Sequence, residues 1–247
     1  MKLLTIGKLP DLEFDAQEAI NQLRVNLGFT GSNIQTIMIT SSIPNEGKSF
    51  ISLNLWRSFA SVGKKVLLID ADLRLSQMRT EFDFQVSDSF VGLAYLLSGQ
   101  SKLSEVIYKT NVENGYILPV TNLVTDPSLL LSQSSFKELI DACKENFDVI
   151  IVDSPPVCSV FDPLVISEAC DGSILVVRAG MTKKRLVNES FNALKRAGSH
   201  VLGICLNDVN TSRTGSYYYS GYNSEYYKAP KKKTTQNKKR KKAESKR

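Results

Sequence analysis

Residues 41–50 read SSIPNEGKSF, and this stretch decides the fold. It follows the apolar, β-branched run Thr36 to Ser41 and leads into a segment with helical spacing, Ser49 to Val62. Gly47, Lys48 and Ser49 therefore lie where a strand gives way to a helix, the context a phosphate-binding loop requires. In such a loop, backbone N–H groups and a helix N-terminus surround a phosphate, a lysine neutralises its charge, and a serine hydroxyl ligates Mg²⁺. The full pattern GxxxxGK[ST] opens with glycine, whereas Ser42 holds that position here. Ser42, Asn45, Glu46, Gly47, Lys48, Ser49 and Phe50 are the expected ATP-binding residues of the loop, with ATP and Mg²⁺ as its ligands.

Outward from this loop, short apolar runs alternate with longer helix-like segments. The strands expected are Thr36 to Ser41, Lys65 to Asp70, Tyr116 to Pro119, Val149 to Asp153, Ser173 to Arg178 and Val201 to Asn207. Ser49 to Val62, Ser134 to Asn146 and Thr182 to Ala197 read as crossover helices, and Phe14 to Leu27 as a helix before the first strand. Strand, helix, strand in this rhythm predicts an α/β fold with a doubly wound, mostly parallel sheet of the P-loop NTPase class.

Two more strands end in carboxylates. LLIDADLR (67–74) places Asp70 and Asp72 at the carboxyl end of an apolar strand, followed by Arg74, and VIIVDSPP (149–156) ends in Asp153. Buried carboxylates are costly unless paired or bound to a cation. In an open α/β sheet, ligands bind beyond the carboxyl ends of the strands, so the three segments converge on one crevice. Each aspartate alone would pass for a turn or cap residue; together with Lys48 they favour a phosphate site.

Composition narrows the class. The chain has 247 residues, 42% of them apolar, enough for one domain with a sizeable core. Apolar runs such as Val149–Val152 and Val66–Ile69 span four residues, against the roughly 18 to 20 needed to cross a bilayer. The N-terminus has no sustained apolar signal region, so a cytoplasmic protein is expected. Cys143, Cys158, Cys170 and Cys205 form no CxxC pair, and the single histidine, His200, is too little for a metal cluster or a catalytic triad. The net charge of +6 is uneven: residues 228–247 hold 11 Lys or Arg and one Glu, leaving 20 basic and 24 acidic residues elsewhere. After Asn207 the apolar signal stops, so residues from about 210 are expected to be disordered.

That tail contains YYYSGYNSEYY, six of the chain's nine tyrosines: Tyr217, Tyr218, Tyr219, Tyr222, Tyr226 and Tyr227. They are the candidate phosphate acceptors. A phenol of pKa near ~10 attacks a phosphoryl group poorly at neutral pH unless a carboxylate takes or orients its proton, and Asp70 or Asp72 can serve. Tyrosines beside lysines also suit a stacking surface for nucleic acid, although the acidic body argues against DNA as the main ligand. The chain from Asn207 to Tyr217 can extend roughly 35 Å, far enough to reach a neighbouring subunit.

These residues together resemble the bacterial protein-tyrosine kinases over about residues 14–227. That family has a modified Walker A loop, a second Asp-x-Asp-x-Arg motif, a Walker B aspartate and a terminal tyrosine cluster. The resemblance implies that Lys48 and Ser49 bind phosphate and Mg²⁺, that Asp70 activates the tyrosine hydroxyl, and that Asp72 and Asp153 support the metal. Arg74 matches the basic end of the second motif and completes the expected catalytic set of Asp70, Asp72, Lys48 and Arg74. Softer matches are GLAYLLSGQ (92–100), the segment from Leu129, the Asp162 region, and GICLND, whose Asn207 would face the base. The family's Glu-x-x-Arg-x-x-Arg motif for ring assembly is met by Glu18 and Arg24, with Asn21 in place of the first arginine.

The domains expected are residues 1–34, an N-terminal segment with an oligomerisation helix; 35–209, the kinase domain; and 210–247, the tyrosine cluster and basic tail. Without membrane spans, the chain resembles the split arrangement of Gram-positive bacteria. That arrangement implies a separate transmembrane adaptor, a cognate tyrosine phosphatase, homo-oligomers, peripheral recruitment to the inner face of the membrane, and a role in capsule or exopolysaccharide synthesis. The lysine-rich tail departs from the simplest family layout and suits anionic lipid or solubility. The rival expectation is a partition- or septum-positioning ATPase of the same deviant-Walker fold, whose signature lysine five residues before the P-loop lysine is Ile43 here. A eukaryotic-type kinase is excluded by the absence of HRD and DFG motifs.

Overall fold

In a computed structural model, residues 2–31, 33–87, 89–132 and 134–209 are described. The first half runs β1 (Lys2–Ile6), α1 (Phe14–Gly28), β2 (Thr36–Ser41), α2 (Lys48–Ser61), β3 (Val66–Asp70), α3 (Met78–Glu81), β4 (Phe84–Val86), α4 (Leu93–Leu97) and α5 (Leu103–Val106). The second runs β5 (Tyr108–Thr110), β6 (Gly115–Leu118), α6 (Ser128–Ser132), α7 (Ser134–Lys144), β7 (Val149–Asp153), α8 (Asp162–Glu168), β8 (Gly172–Arg178), α9 (Lys184–Arg196) and β9 (Val201–Asn207).

The strands form one nine-stranded sheet in the order β4-β1-β5-β6-β3-β7-β2-β8-β9. From β6 to β9 every neighbouring pair is parallel; β5 with β6 and β1 with β4 are antiparallel. The predicted α/β sheet is thus present, with β1, β4 and β5 added at one edge. Residues 2–6, read from sequence as lying outside the domain, pair with Phe84–Val86 and Tyr108–Thr110 in the same sheet.

Side-chain alternation builds a core on each face. From β3, Val66 and Leu68 enter one apolar cluster with Leu53, Leu55 and Trp56 of α2, while Leu67 and Ile69 enter the other with Phe136, Leu139 and Ile140 of α7. β7 splits the same way, Val149 and Ile151 against Ile150 and Val152. Helices cover both faces, which is why the central strands β3, β7 and β2 are buried at every position and mostly apolar, with buried polar residues such as Thr36, Thr40 and Ser41 the exceptions beside the acidic strand ends. Trp56 is sealed in the core, and its indole N–H donates to the carbonyls of Val66 and Tyr116 at 3.2 and 3.1 Å. The tyrosine cluster and basic tail lie outside the described residues.

Candidate active site

The loop between β2 and α2 owes its shape to backbone conformation and one buried carboxylate. Gly47 has φ of 88° and Asn45 of 66°, values that favour glycine and tolerate asparagine. Ser42 is not among the positive-φ residues, so its position has no conformational need for the glycine of the full motif. Glu46 turns inward and is fully buried: one carboxylate oxygen accepts from Ile43 N at 2.7 Å, the other from Arg178 N at 3.2 Å and from the Thr182 hydroxyl. Asn207, at the end of β9, donates to the Glu46 carbonyl at 2.9 Å. Its amide nitrogen would lie 2.1 Å from a Cβ at Gly47. Glu46 and Asn207, both expected as ATP contacts, therefore hold the loop itself.

The loop delivers an α-helix N-terminus to a crevice of about 850 Å³. No side chain caps α2, which leaves the first-turn N–H groups to an anion. Gly47, Lys48, Ser49, Phe50 and Asn45 line the crevice with Asp72, Arg74, Ser76 and the prolines that follow Asp153. Ser42 is buried and its hydroxyl makes no hydrogen bond to protein.

Lys48 meets both acidic strand ends. Its ammonium is 3.2 Å from Asp72 Oδ2 and 3.5 Å from Asp153 Oδ2. Burial alone would lower the lysine pKa, but the charges of Asp153, Asp72 and Asp70 outweigh it and raise it, so Lys48 stays a cation. Asp153 is buried, and its oxygens accept from Ser49 Oγ at 2.6 Å and Ser52 Oγ at 2.9 Å. Burial pushes its pKa up, against Lys48 and the two serines. Oxygen ligands from Ser49, Asp72 and Asp153 are the hard donors Mg²⁺ takes when phosphate oxygens and water complete its shell, so this donor set fits the ion. Ser52, one turn beyond Ser49, was legible only in retrospect as a second hydroxyl on the same helical face.

Asp70 differs from the other two. It is 1% exposed and does not line the crevice. Ser76 Oγ donates to its Oδ2, and Asp72 N reaches its Oδ1 at 3.3 Å. Burial, then the Asp153 charge, raises its pKa to about 7. Ser76 is a residue sequence reasoning missed: nothing in LSQMR marks a serine six positions on as the lid of an aspartate.

Arg74 lines the crevice, yet its guanidinium is held by Asp162, with Nε to Oδ2 at 2.6 Å and Nη2 to Oδ1 at 3.1 Å. Glu18 and Arg24, expected at an oligomer interface, lie on α1: Glu18 accepts from Asn21, and Arg24 Nε donates to Ser58 Oγ on α2 at 3.0 Å. Tyr217 to Tyr227 lie outside the described residues.

A family model described as an AAA domain matches residues 34–184. The tyrosine-protein kinase CpsD of Streptococcus agalactiae serotype III (strain NEM316) is 40% identical over 196 residues, 79% of this chain and 84% of its own length. Among solved structures, the kinase domain of Escherichia coli tyrosine kinase ETK matches with a TM-score of 0.74 at 33% identity, over 78% of this chain and 76% of that one. The septum site-determining protein MinD complexed with Mg-ADP from Pyrococcus horikoshii OT3 is more distant, with a TM-score of 0.59, 27% identity and 70% of each chain covered. A phosphate loop that faces two acidic strand ends and a relative this similar over most of both lengths lead to one conclusion: the chain belongs to the bacterial tyrosine-protein kinases.

Proposed function

We propose that this protein is an ATP- and Mg²⁺-dependent protein-tyrosine kinase that phosphorylates its own cluster Tyr217–Tyr227 between subunits and regulates capsular or exopolysaccharide synthesis and export. The observation that carries the reading is the convergence of Lys48, Ser49, Asp72 and Asp153 within 3.5 Å contacts at the carboxyl ends of β3 and β7, in a chain with six tyrosines in eleven residues.

In the reaction, α2's first-turn N–H groups and Lys48 hold the nucleotide phosphates. A phenol oxygen attacks the γ-phosphorus, the bond to the β-phosphate oxygen breaks, and ADP leaves. Asp70 takes the phenol proton once the Ser76 hydroxyl gives way on its Oδ2. Ser49, Asp72 and Asp153 would hold Mg²⁺, which when bound would neutralise charge on the phosphate oxygens. Asn45, Phe50 and Ser42 complete the nucleotide site, with Glu46 and Asn207 acting through the loop they brace.

Helix α1 of the 1–34 segment serves oligomerisation, residues 35–209 carry the kinase chemistry on a sheet that Lys2–Ile6 joins, and the 210–247 tail is the acceptor. Glu18 and Arg24 contribute to a homo-oligomer, a ring in the family's manner. A separate transmembrane adaptor brings the chain to the inner face of the membrane and activates it, and a tyrosine phosphatase resets it; the membrane is met only peripherally and no specific nucleic acid is bound. No helix among the described residues is long and apolar enough to cross a membrane, which supports a partner that supplies the anchor.

Replacing all six tyrosines by phenylalanine should abolish self-labelling from γ-labelled ATP while nucleotide binding persists. Loss of nucleotide binding in that variant would contradict the division into kinase and acceptor. The likeness to MinD favours a second reading, an ATPase switch without kinase activity, for which Ile43 at the signature-lysine position is the counter-observation.

A further inference from the structure

The ion pair between Arg74 and Asp162 stands apart from the carboxylates Asp72 and Asp153 yet joins the segments that follow β3 and β7, at whose carboxyl ends they lie. Arg74 is two residues past Asp72, on the loop after β3. Asp162 opens α8, nine residues past Asp153, after the loop whose Pro155, Pro156, Ser159 and Val160 also line the crevice.

The contact is a fork on a fork. Arg74 Nε and Nη2 meet the two carboxylate oxygens of Asp162 at 2.6 and 3.1 Å. Nη2 also donates to Ser128 Oγ at 3.0 Å, and Nη1 to the Thr125 carbonyl at 3.1 Å. Ser128 Oγ in turn donates to Asp162 Oδ1 at 3.2 Å. Four guanidinium N–H groups are thus aimed at protein acceptors, which leaves one of the five such groups an arginine carries. Asp162 is 1% exposed, and burying a carboxylate that deeply is costly unless a charge partner and hydrogen bonds meet it, as Arg74 and Ser128 do here. The Leu73 carbonyl accepts from Val124 N at 2.8 Å, so the segment that holds Ser128 is tied to the same loop by its backbone.

We infer that Asp162 is a positioning residue for phosphoryl transfer: through Arg74 it fixes the spacing of the loop after β3, which bears Asp72, against the loop that leaves β7 at Asp153, and Arg74 is the arm of this brace and not a ligand of the transferred phosphate. The inference rests on the kinase reading for the reaction it serves, but not for the metal geometry it controls. Lysine cannot replace the arm, because a point ammonium makes no two-pronged contact.

The test uses the full-length chain and a fluorescent ADP analogue, titrated with Mg²⁺, alongside the rate of phosphotyrosine formation. Residues that orient metal ligands at one remove typically change metal affinity by about 10- to 100-fold. Asp162→Asn and Arg74→Lys should each raise the Mg²⁺ concentration for half-maximal analogue binding by about tenfold, leave Mg²⁺-free binding within about twofold, and slow phosphorylation to a similar degree. Asp162→Glu, which keeps the charge, should recover part of both losses. An unshifted Mg²⁺ midpoint with a slowed reaction overturns the brace and makes Arg74 a direct phosphate ligand; an equal loss of Mg²⁺-free binding also overturns it. If Asp162→Asn does not fold, Ser128→Ala decides: a smaller shift of the midpoint in the same direction supports the brace, and none refutes it. Should the wild-type chain form no phosphotyrosine, the kinase reading fails, and the Mg²⁺ midpoint still decides the role of Asp162.

Discussion

Asp70 and Asp153 are register partners at the carboxyl ends of the adjacent parallel strands β3 and β7, each about 1% exposed. Burial first, and the Asp153 charge second, lift the Asp70 pKa from 3.8 to about 7. An acid whose pKa rises on folding binds more protons folded than unfolded between the two values, so stability falls as pH rises through that window. The penalty is absent below about pH 4 and complete above about pH 7. With Mg²⁺ chelated, Asp70→Asn should therefore raise the melting temperature by several degrees near ~pH 8, and the gain should shrink towards ~pH 4. Thermal melts across that range check it; a variant less stable than wild type at the alkaline end would contradict the sign.

Lys48 is the counter-cation for Asp72 and Asp153. Lys48→Met removes the phosphate-binding charge and leaves two carboxylates without it, which costs on the order of 3 kcal/mol. Nucleotide turnover should fall at least about 100-fold, and the lowered melting temperature should partly recover with added Mg²⁺, as scanning fluorimetry would show.

Gly47 needs both its φ of 88° and the space taken by Asn207. Gly47→Ala should lose measurable nucleotide binding. Adding Asn207→Ala relieves the overlap but not the backbone strain, roughly 1–2 kcal/mol for a left-handed residue, so the double variant should recover only part of the affinity in a fluorescent-nucleotide titration.

The core makes a contrasting prediction. A Cβ at Gly115 would lie 2.3 Å from Trp56 Cζ2. Gly115→Ala should cost about 1–3 kcal/mol by overpacking and leave the nucleotide dissociation constant unchanged. Trp56 is the only tryptophan in the chain, so its fluorescence reports the unfolding directly.

The central strands were legible because burial on both faces makes their runs mostly apolar: Thr36–Ser41 and Val149–Asp153 have the bounds read from sequence, as does the partly exposed edge strand Val201–Asn207. β4 and β5 were not, since three residues such as Phe84–Val86 are too short to show a period. Lys2–Ile6 was missed because its partners lie about 80 and 105 residues away, and no local pattern reports them. The acidic strand ends and the loop were visible as residue types at strand boundaries. Thr182 on Glu46 and Asp162 on Arg74 join loops distant in sequence, and Ser76 over Asp70 depends on how the turn after β3 folds back, none of which is written in spacing.

The most direct measurement is mass spectrometry of residues 210–247 after the full-length chain is incubated with ATP and Mg²⁺, alone and with the cytoplasmic segment of a candidate adaptor, beside Lys48→Met. Lys48-dependent phosphate on tyrosines between Tyr217 and Tyr227 is the predicted result. ATP hydrolysis with no phosphotyrosine under either condition would contradict it and leave an ATPase switch of the MinD kind.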